Sequence, residues 1–211
     1  MKVLSINGSP NQKGCTYTAL SVCSEILNKE DIETEFFWIG KKPLSGCIAC
    51  GKCAELKHCV FQDKVNEFTE LAQTADGFIF GSPVYYSGIN GSMMSFMDRA
   101  FFSGHRKEPN PYQFKPAAAV VSARRAGTSS ALDQMNKYFL HGQMPVISSR
   151  YWNMVHGNTP EEVMQDAEGL QIMRVLGRNM AWFLKLKEAG EKAGIQPPKQ
   201  EETRIATNFI R

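Results

Sequence analysis

Four of the six cysteines fall within thirteen residues, as Cys47-x2-Cys50-x2-Cys53-x5-Cys59. That density suits an iron–sulfur ligand set. Cluster ligands are thiolates, and short C-x-x-C steps bring their sulfurs around one small cube. Gly46 and Gly51 relieve backbone crowding between them. Structural zinc on the same four thiolates is a second reading, and metal-free thiols a third. The step after Cys59 also reads as an ordinary helix entry with Asp63 as its cap.

Three Gly- or Ser-rich turns carry further chemistry, each after a short apolar run. The first is Gly8-Ser9-Pro10-Asn11-Gln12-Lys13-Gly14-Cys15-Thr16, leading into a helical pattern. A helix N-terminus offers unpaired N–H groups and a partial positive charge, which suits a phosphate. Ser9 and Thr16 add hydroxyls, and Gly14 lets the backbone approach closely. The Gly-Lys-Ser/Thr ending of a P-loop and the G-x-G-x-x-G fingerprint are both absent. A terminal monophosphate ester, as in FMN, fits such a loop; a plain strand–turn–helix is the alternative. The second turn, Pro83-Val84-Tyr85-Tyr86-Ser87-Gly88, sets two aromatics where a flat ring could slide against the backbone. Loop packing is the alternative there. Ser122-Ala123-Arg124-Arg125-Ala126-Gly127-Thr128 is the third. Arg124 or Arg125 could stabilise negative charge on a ligand, or be a solvated pair.

Cys15, at a helix start, is expected to have a lowered pKa. The four histidines have no regular spacing with each other or with an acid, and there is no Ser/His/Asp arrangement or H-E-x-x-H. Trp152, Trp182 and Phe183 are expected in the core or at a dimer interface. Tyr151-Trp152-Asn153 is expected to follow the last strand and shape a substrate pocket.

The elements that must position these turns read as strand and helix in alternation. Strands are expected at Val3–Ile6, Gly77–Phe80 and Ala117–Val121, with weaker candidates at Glu33–Ile39 and Met144–Ser148. Continuous short apolar runs suit strands buried on both faces of a parallel sheet. Helical periodicity covers Thr16–Asn28, Val65–Thr74, Ser92–Phe102, Ser130–Leu140 and Pro160–Lys192. Repeated strand–helix units predict an open α/β sheet with right-handed crossovers, ligands lying beyond the carboxyl ends of its strands.

A length of 211 residues predicts one domain, taken as residues 1–195 with a Cys-rich loop at 40–62, followed by a C-terminal arm at 196–211. A net charge of +3, with Lys and Arg scattered, gives no nucleic-acid footprint. The apolar runs are too short for a membrane span. The N-terminus offers no signal-peptide core, so a cytoplasmic protein with reduced cysteines is expected.

The turns together resemble those of the flavodoxin-like NAD(P)H-dependent FMN reductase superfamily. Its phosphate loop pairs Gly-Ser-Pro with a later Gly-Asn-Thr; here Gly8-Ser9-Pro10 matches, and Gly14-Cys15-Thr16 has Cys where Asn is usual. Its Gly-Ser-Pro-Val-Tyr ahead of a helix ending in Asp-Arg is matched by Gly81–Tyr85 and Asp98-Arg99. The resemblance spans residues 2 to about 155. It implies a five-stranded flavodoxin-like open parallel sheet of order 2-1-3-4-5 with helices on both faces, and bound FMN. It also implies a homodimer with the flavin near the interface. The implied FMN contacts are Ser9, Asn11, Gly14, Cys15 and Thr16, then Pro83, Val84, Tyr85, Tyr86, Ser87 and Gly88, then Ser122, Ala123, Arg124 and Gly127. The cysteine spacing looks like that of iron–sulfur flavoproteins, a branch of the same superfamily in which a [4Fe–4S] cluster exchanges single electrons with FMN. The implied activity is an FMN-dependent oxidoreductase, with no catalytic side chain of its own. It would pass hydride from NAD(P)H to a small-molecule acceptor: a quinone, nitro- or azo-compound, free flavin or iron. An iron–sulfur flavoprotein or flavodoxin-type electron carrier without substrate turnover is the alternative, and a redox-sensing flavoprotein using the Cys loop as its switch is a third.

Overall fold

The computed structural model describes residues 1–203, 205–207 and 209 of the chain. Five parallel strands make its sheet: β1 (Lys2–Asn7), β2 (Glu33–Trp38), β3 (Gly77–Tyr85), β5 (Ala117–Ala123) and β6 (Met154–His156), in the order β2-β1-β3-β5-β6. A two-residue strand, β4 (Gly88–Ile89), folds back antiparallel on β3. Counted along the chain, the parallel strands follow the expected 2-1-3-4-5. All seven residues of β5 are buried, as its unbroken Ala/Val run requires of a strand covered on both faces.

Helices α1 (Cys15–Lys29) and α7 (Ala167–Lys192) cover one face, around Leu20, Cys23, Leu27, Met173, Leu176 and Met180. The other face takes α3 (Lys64–Thr74), α4 (Gly91–Gly104) and α5 (Thr128–His141), over Phe68, Phe78, Phe80, Phe96, Phe101 and Tyr112. Among the described residues two short helices complete the set, α2 (Cys53–Leu56) within the Cys-rich loop and α6 (Pro160–Val163). Among the described residues, no helix is long and apolar enough to cross a membrane.

Four expectations are corrected. The last strand is not Met144–Ser148, which contributes a single bridge from Val146 to Ala117; β6 begins after it. Tyr151-Trp152-Asn153 therefore leads into that strand instead of following it. Trp152 and Trp182, expected in the core or at a dimer interface, are 60% and 64% exposed in the single chain, which leaves the interface half of that expectation open, and Phe183 packs at the edge of the α1/α7 cluster. The helix expected over Pro160–Lys192 is interrupted after Val163. There Asp166 caps α7 by accepting from Gly169 N–H, and its other oxygen accepts from His156 N–H. Gly81-Ser82-Pro83 continues β3 in register with Val120, Val121 and Ser122, so the turn comes later, at Tyr86-Ser87. Of the C-terminal arm, residues 196–203 carry no helix or strand; Arg204, Asn208, Ile210 and Arg211 lie outside the described residues.

Helices α1 and α7 cross at Gly177, where an added Cβ would stand 2.9 Å from Ile26 Cβ and 3.0 Å from Cys23 O. Gly177→Ala gains about 1 kcal/mol of helix propensity. Overpacking costs about 1–3 kcal/mol. A net loss of about 1 kcal/mol in urea denaturation is expected, and a gain in stability would contradict this close crossing.

Candidate functional site

Strand register brings the three turns to one edge of the sheet. Asn7, the last residue of β1, pairs with Gly81, and Pro83 pairs with Ser122. The first loop is folded by side chains from its surroundings. Asn7 Oδ1 accepts from Ser9 N–H at 3.0 Å, and Asn7 Nδ2 donates to Gln12 O at 2.9 Å. Trp38 Nε1 donates to Ser9 O at 2.8 Å, and Ser9 Oγ accepts from Asn11 N–H at 3.1 Å. Gly8 N–H donates to Gly81 O at 2.8 Å, binding the loop to β3.

Helix α1 starts here with Gly14 as N-cap, no side chain on its first N–H groups and no acid in its first turn. Helix α5 starts the same way after Gly127, at the end of β5. The other helices of eight or more residues, α3, α4 and α7, are each capped by Asp63, Asn90 or Asp166. Two positive helix ends without side-chain caps thus lie at one sheet edge, an arrangement suited to an anion. Thr16 and Ser122 are buried, with their hydroxyls 2.8 Å apart. Whichever donates, one hydroxyl proton of the pair remains for another acceptor. Asn11 is exposed and Ala123 is buried. Arg124 is exposed, along with Arg125.

Cys15 departs from expectation. Burial raises its thiol pKa, and Glu162 and Glu161 push the same way, so desolvation outweighs the helix end. Its Sγ donates to Gly157 O at 3.7 Å.

The second turn is a β-hairpin. Val84 pairs with Ile89 and Tyr85 with Gly88, leaving Tyr86 and Ser87 at φ +49° and +59°. Positive φ at both central residues marks the type I′ turn, normally an Asn-Gly. Here a fully exposed Tyr occupies it. Gly127, at φ +89°, lets the α5 entry approach, since a Cβ there would stand 2.7 Å from Ser87 Cα. Gln134 of α5 accepts from Ile89 N–H at 2.9 Å, fixing the hairpin from the other side.

The Cys-rich loop leaves β2 and is stapled to α3 and α4. Asn66 Oδ1 accepts from Cys59 N–H at 2.9 Å, and Asn66 Nδ2 donates to Cys59 O and Phe61 O. Arg99 Nε donates to Cys59 Sγ at 3.2 Å and its Nη1 to Ser45 O at 3.2 Å. Both Nη atoms also pair with Asp63, at 2.8 and 2.9 Å. The Arg99 side chain is 1% exposed. Burial works against its charge, but Asp63 and Cys59 more than offset that and raise its pKa. Asp63 also caps α3 by accepting from Val65 N–H, as its sequence position predicts.

Cys47, Cys50, Cys53 and Cys59 all line one pocket, walled by Ile48, Val60, Phe61 and Phe102. All four are free thiols, and burial raises the pKa of Cys53. Among the described residues, no three Cys, His, Asp or Glu side chains converge as the ligands of one metal ion. The donor set fits a cluster: soft sulfur ligands, apolar walls and an N–H donor on one sulfur.

The model of the NADPH-dependent FMN reductase family matches residues 1–159. The chain belongs to that family. It is also 32% identical over 195 residues to an iron–sulfur flavoprotein of Methanocaldococcus jannaschii, covering 88% of this chain and 98% of that one. A flavodoxin from the domain Archaea superposes with a TM-score of 0.59 at 15% identity, over 88% of this chain and 99% of that one. A flavoenzyme NAD(P)H:(acceptor) oxidoreductase from Paracoccus denitrificans gives 0.63 at 13% identity, over 88% and 97%. The fold is therefore flavodoxin-like.

For this family member, sequence reasoning located the three turns and the thiols but not the residues that shape them. Asn7, Trp38, Asn90 and Asn66 carry no motif of their own. Asn90 caps α4 through Met93 N–H while its Nδ2 donates to Gly8 O and its N–H to Ser82 Oγ. The one available signal was an Asn at a strand end or a helix start.

Left-handed backbone costs a β-carbon residue about 1–2 kcal/mol, and Asn tolerates it. Tyr86→Asn is therefore expected to stabilise the flavin-free protein by about 0.5–1 kcal/mol in chemical denaturation. A loss of stability would show that Tyr86 supports the fold.

Proposed function

We propose that this protein is an FMN-dependent oxidoreductase that takes hydride from NAD(P)H and exchanges single electrons through an iron–sulfur centre held by Cys47, Cys50, Cys53 and Cys59. The observation that carries the reading is the gathering of all four thiols on one pocket in a member of an FMN reductase family. The iron–sulfur flavoprotein relative supports it. When bound, FMN supplies hydride acceptance and the cluster supplies one-electron exchange.

The chain's own residues bind and orient. The free N–H groups of the first turn of α1 take the FMN phosphate, with the Thr16–Ser122 hydroxyl pair beneath. The hairpin from Pro83 to Gly88 would hold one side of the ring, and Ser122 to Gly127 would hold the pyrimidine edge, where the α5 N-terminus favours negative charge. Arg124, which is exposed, would stabilise that negative charge with its own positive one. The Cys-rich loop and the phosphate loop leave neighbouring strands, β2 and β1, at the same edge.

Anaerobic titration of the loaded protein with NADPH is expected to bleach the flavin absorbance, and a one-electron acceptor to restore it. The apoprotein should bind FMN about 100-fold more tightly than riboflavin, the equivalent of about 3 kcal/mol from charge-assisted hydrogen bonds. Thr16→Ala should remove about 1 kcal/mol or more of that preference. Equal affinity for the two flavins would refute the phosphate site. FMN binding without NAD(P)H-driven bleaching would favour an electron carrier.

A further inference from the structure

We propose that Arg99 is a positioning residue that sets the reduction potential of the centre at Cys47–Cys59, with Asp63 acting against it. This rests on the iron–sulfur reading above and assigns roles to two residues outside the thiol set.

Arg99 Nε donates to Cys59 Sγ at 3.2 Å, while both of its Nη atoms are committed to Asp63 and one also to Ser45 O. The guanidinium is thus oriented with one N–H aimed at a sulfur, and Phe61 covers it with its ring centroid 4.8 Å from Cζ. Water is almost excluded from it. A full charge in such surroundings is screened little and acts strongly on its neighbour. The ion pair alone could serve stability, as could the Asp63 cap. Stability alone does not require the third N–H to point at a thiol that lines the pocket. Hydrogen bonds to ligand sulfur and nearby charge are the means by which a protein tunes a cluster.

The sign follows from charge. Reduction adds one electron, so the reduced centre is the more negative state. A cation and an N–H donor on a ligand sulfur favour it and raise the potential. A carboxylate beside that cation opposes it and lowers the potential. Arg99→Gln and Asp63→Asn should therefore shift the potential in opposite directions, the first to more negative values and the second to more positive ones. Asn is as good an N-cap as Asp, so Asp63→Asn keeps the start of α3. Arg99→Lys, which keeps the charge but not the fork, should lie between the parent and Arg99→Gln.

The test is an anaerobic potentiometric titration of the reconstituted protein and its variants, followed by the paramagnetic signal of the reduced centre, with iron counted per chain. Opposite shifts at retained iron content support the proposal, and Asp63→Asn alone decides it if Arg99→Gln does not fold. Iron-loaded variants with unchanged potentials, or with both potentials moved the same way, overturn this proposal and leave the cluster reading standing. A parent protein that holds no iron after reconstitution overturns both.

Discussion

Arg99 carries a charge almost sealed from water, and the loop, helix α3 and helix α4 are arranged so that this charge is never left alone. Removing Asp63 would leave a buried cation without its counter-ion, which is destabilising. The Asp63–Arg99 pair therefore fixes the register of α3 against α4. It also fixes the Cys-rich loop, because the same guanidinium holds Ser45 O before the cysteines and Cys59 Sγ at their end. A loop with only the four-residue α2 of its own inherits the rigidity of the two helices beneath it.

The other end of α4 does a parallel job. Asn90 caps the helix and in the same contact set holds Gly8 O and, through its N–H, Ser82 Oγ. Nine residues separate Asn90 from Arg99, about 13.5 Å at 1.5 Å per residue. One helix, buried along Met93, Phe96, Met97 and Ala100, thus spans the distance from the phosphate loop to the thiol pocket. Whatever binds at the two places has its separation set by a straight, packed element, not by loop length.

The centre of the sheet was legible in the sequence because β1, β3 and β5 are largely buried and read as short apolar runs. The weak end of the pattern failed where burial is one-sided. Met144–Ser148 has the apolar content of a strand, but only Val146 pairs, and the three-residue β6 that replaces it is too short to stand out by periodicity. Gly81-Ser82-Pro83 looks like turn chemistry, yet Gly81 is demanded by packing, since a Cβ would meet Leu20 and Thr16 of α1 at 2.8 Å. For Cys15 a local rule about helix ends lost to burial. The thiol spacing was visible at once. The Arg99 contact was not, because it joins residues far apart in the chain and only the folded packing of α3 on α4 brings them together.

Coupling hydride chemistry to single-electron transfer requires that one chain carry both redox groups. The direct measurement is iron, acid-labile sulfide and FMN counted per chain, on protein purified anaerobically with iron and sulfide supplied. The result predicted is about one FMN and about four iron with matching sulfide. FMN present with no iron under those conditions, or one zinc in its place, would contradict it.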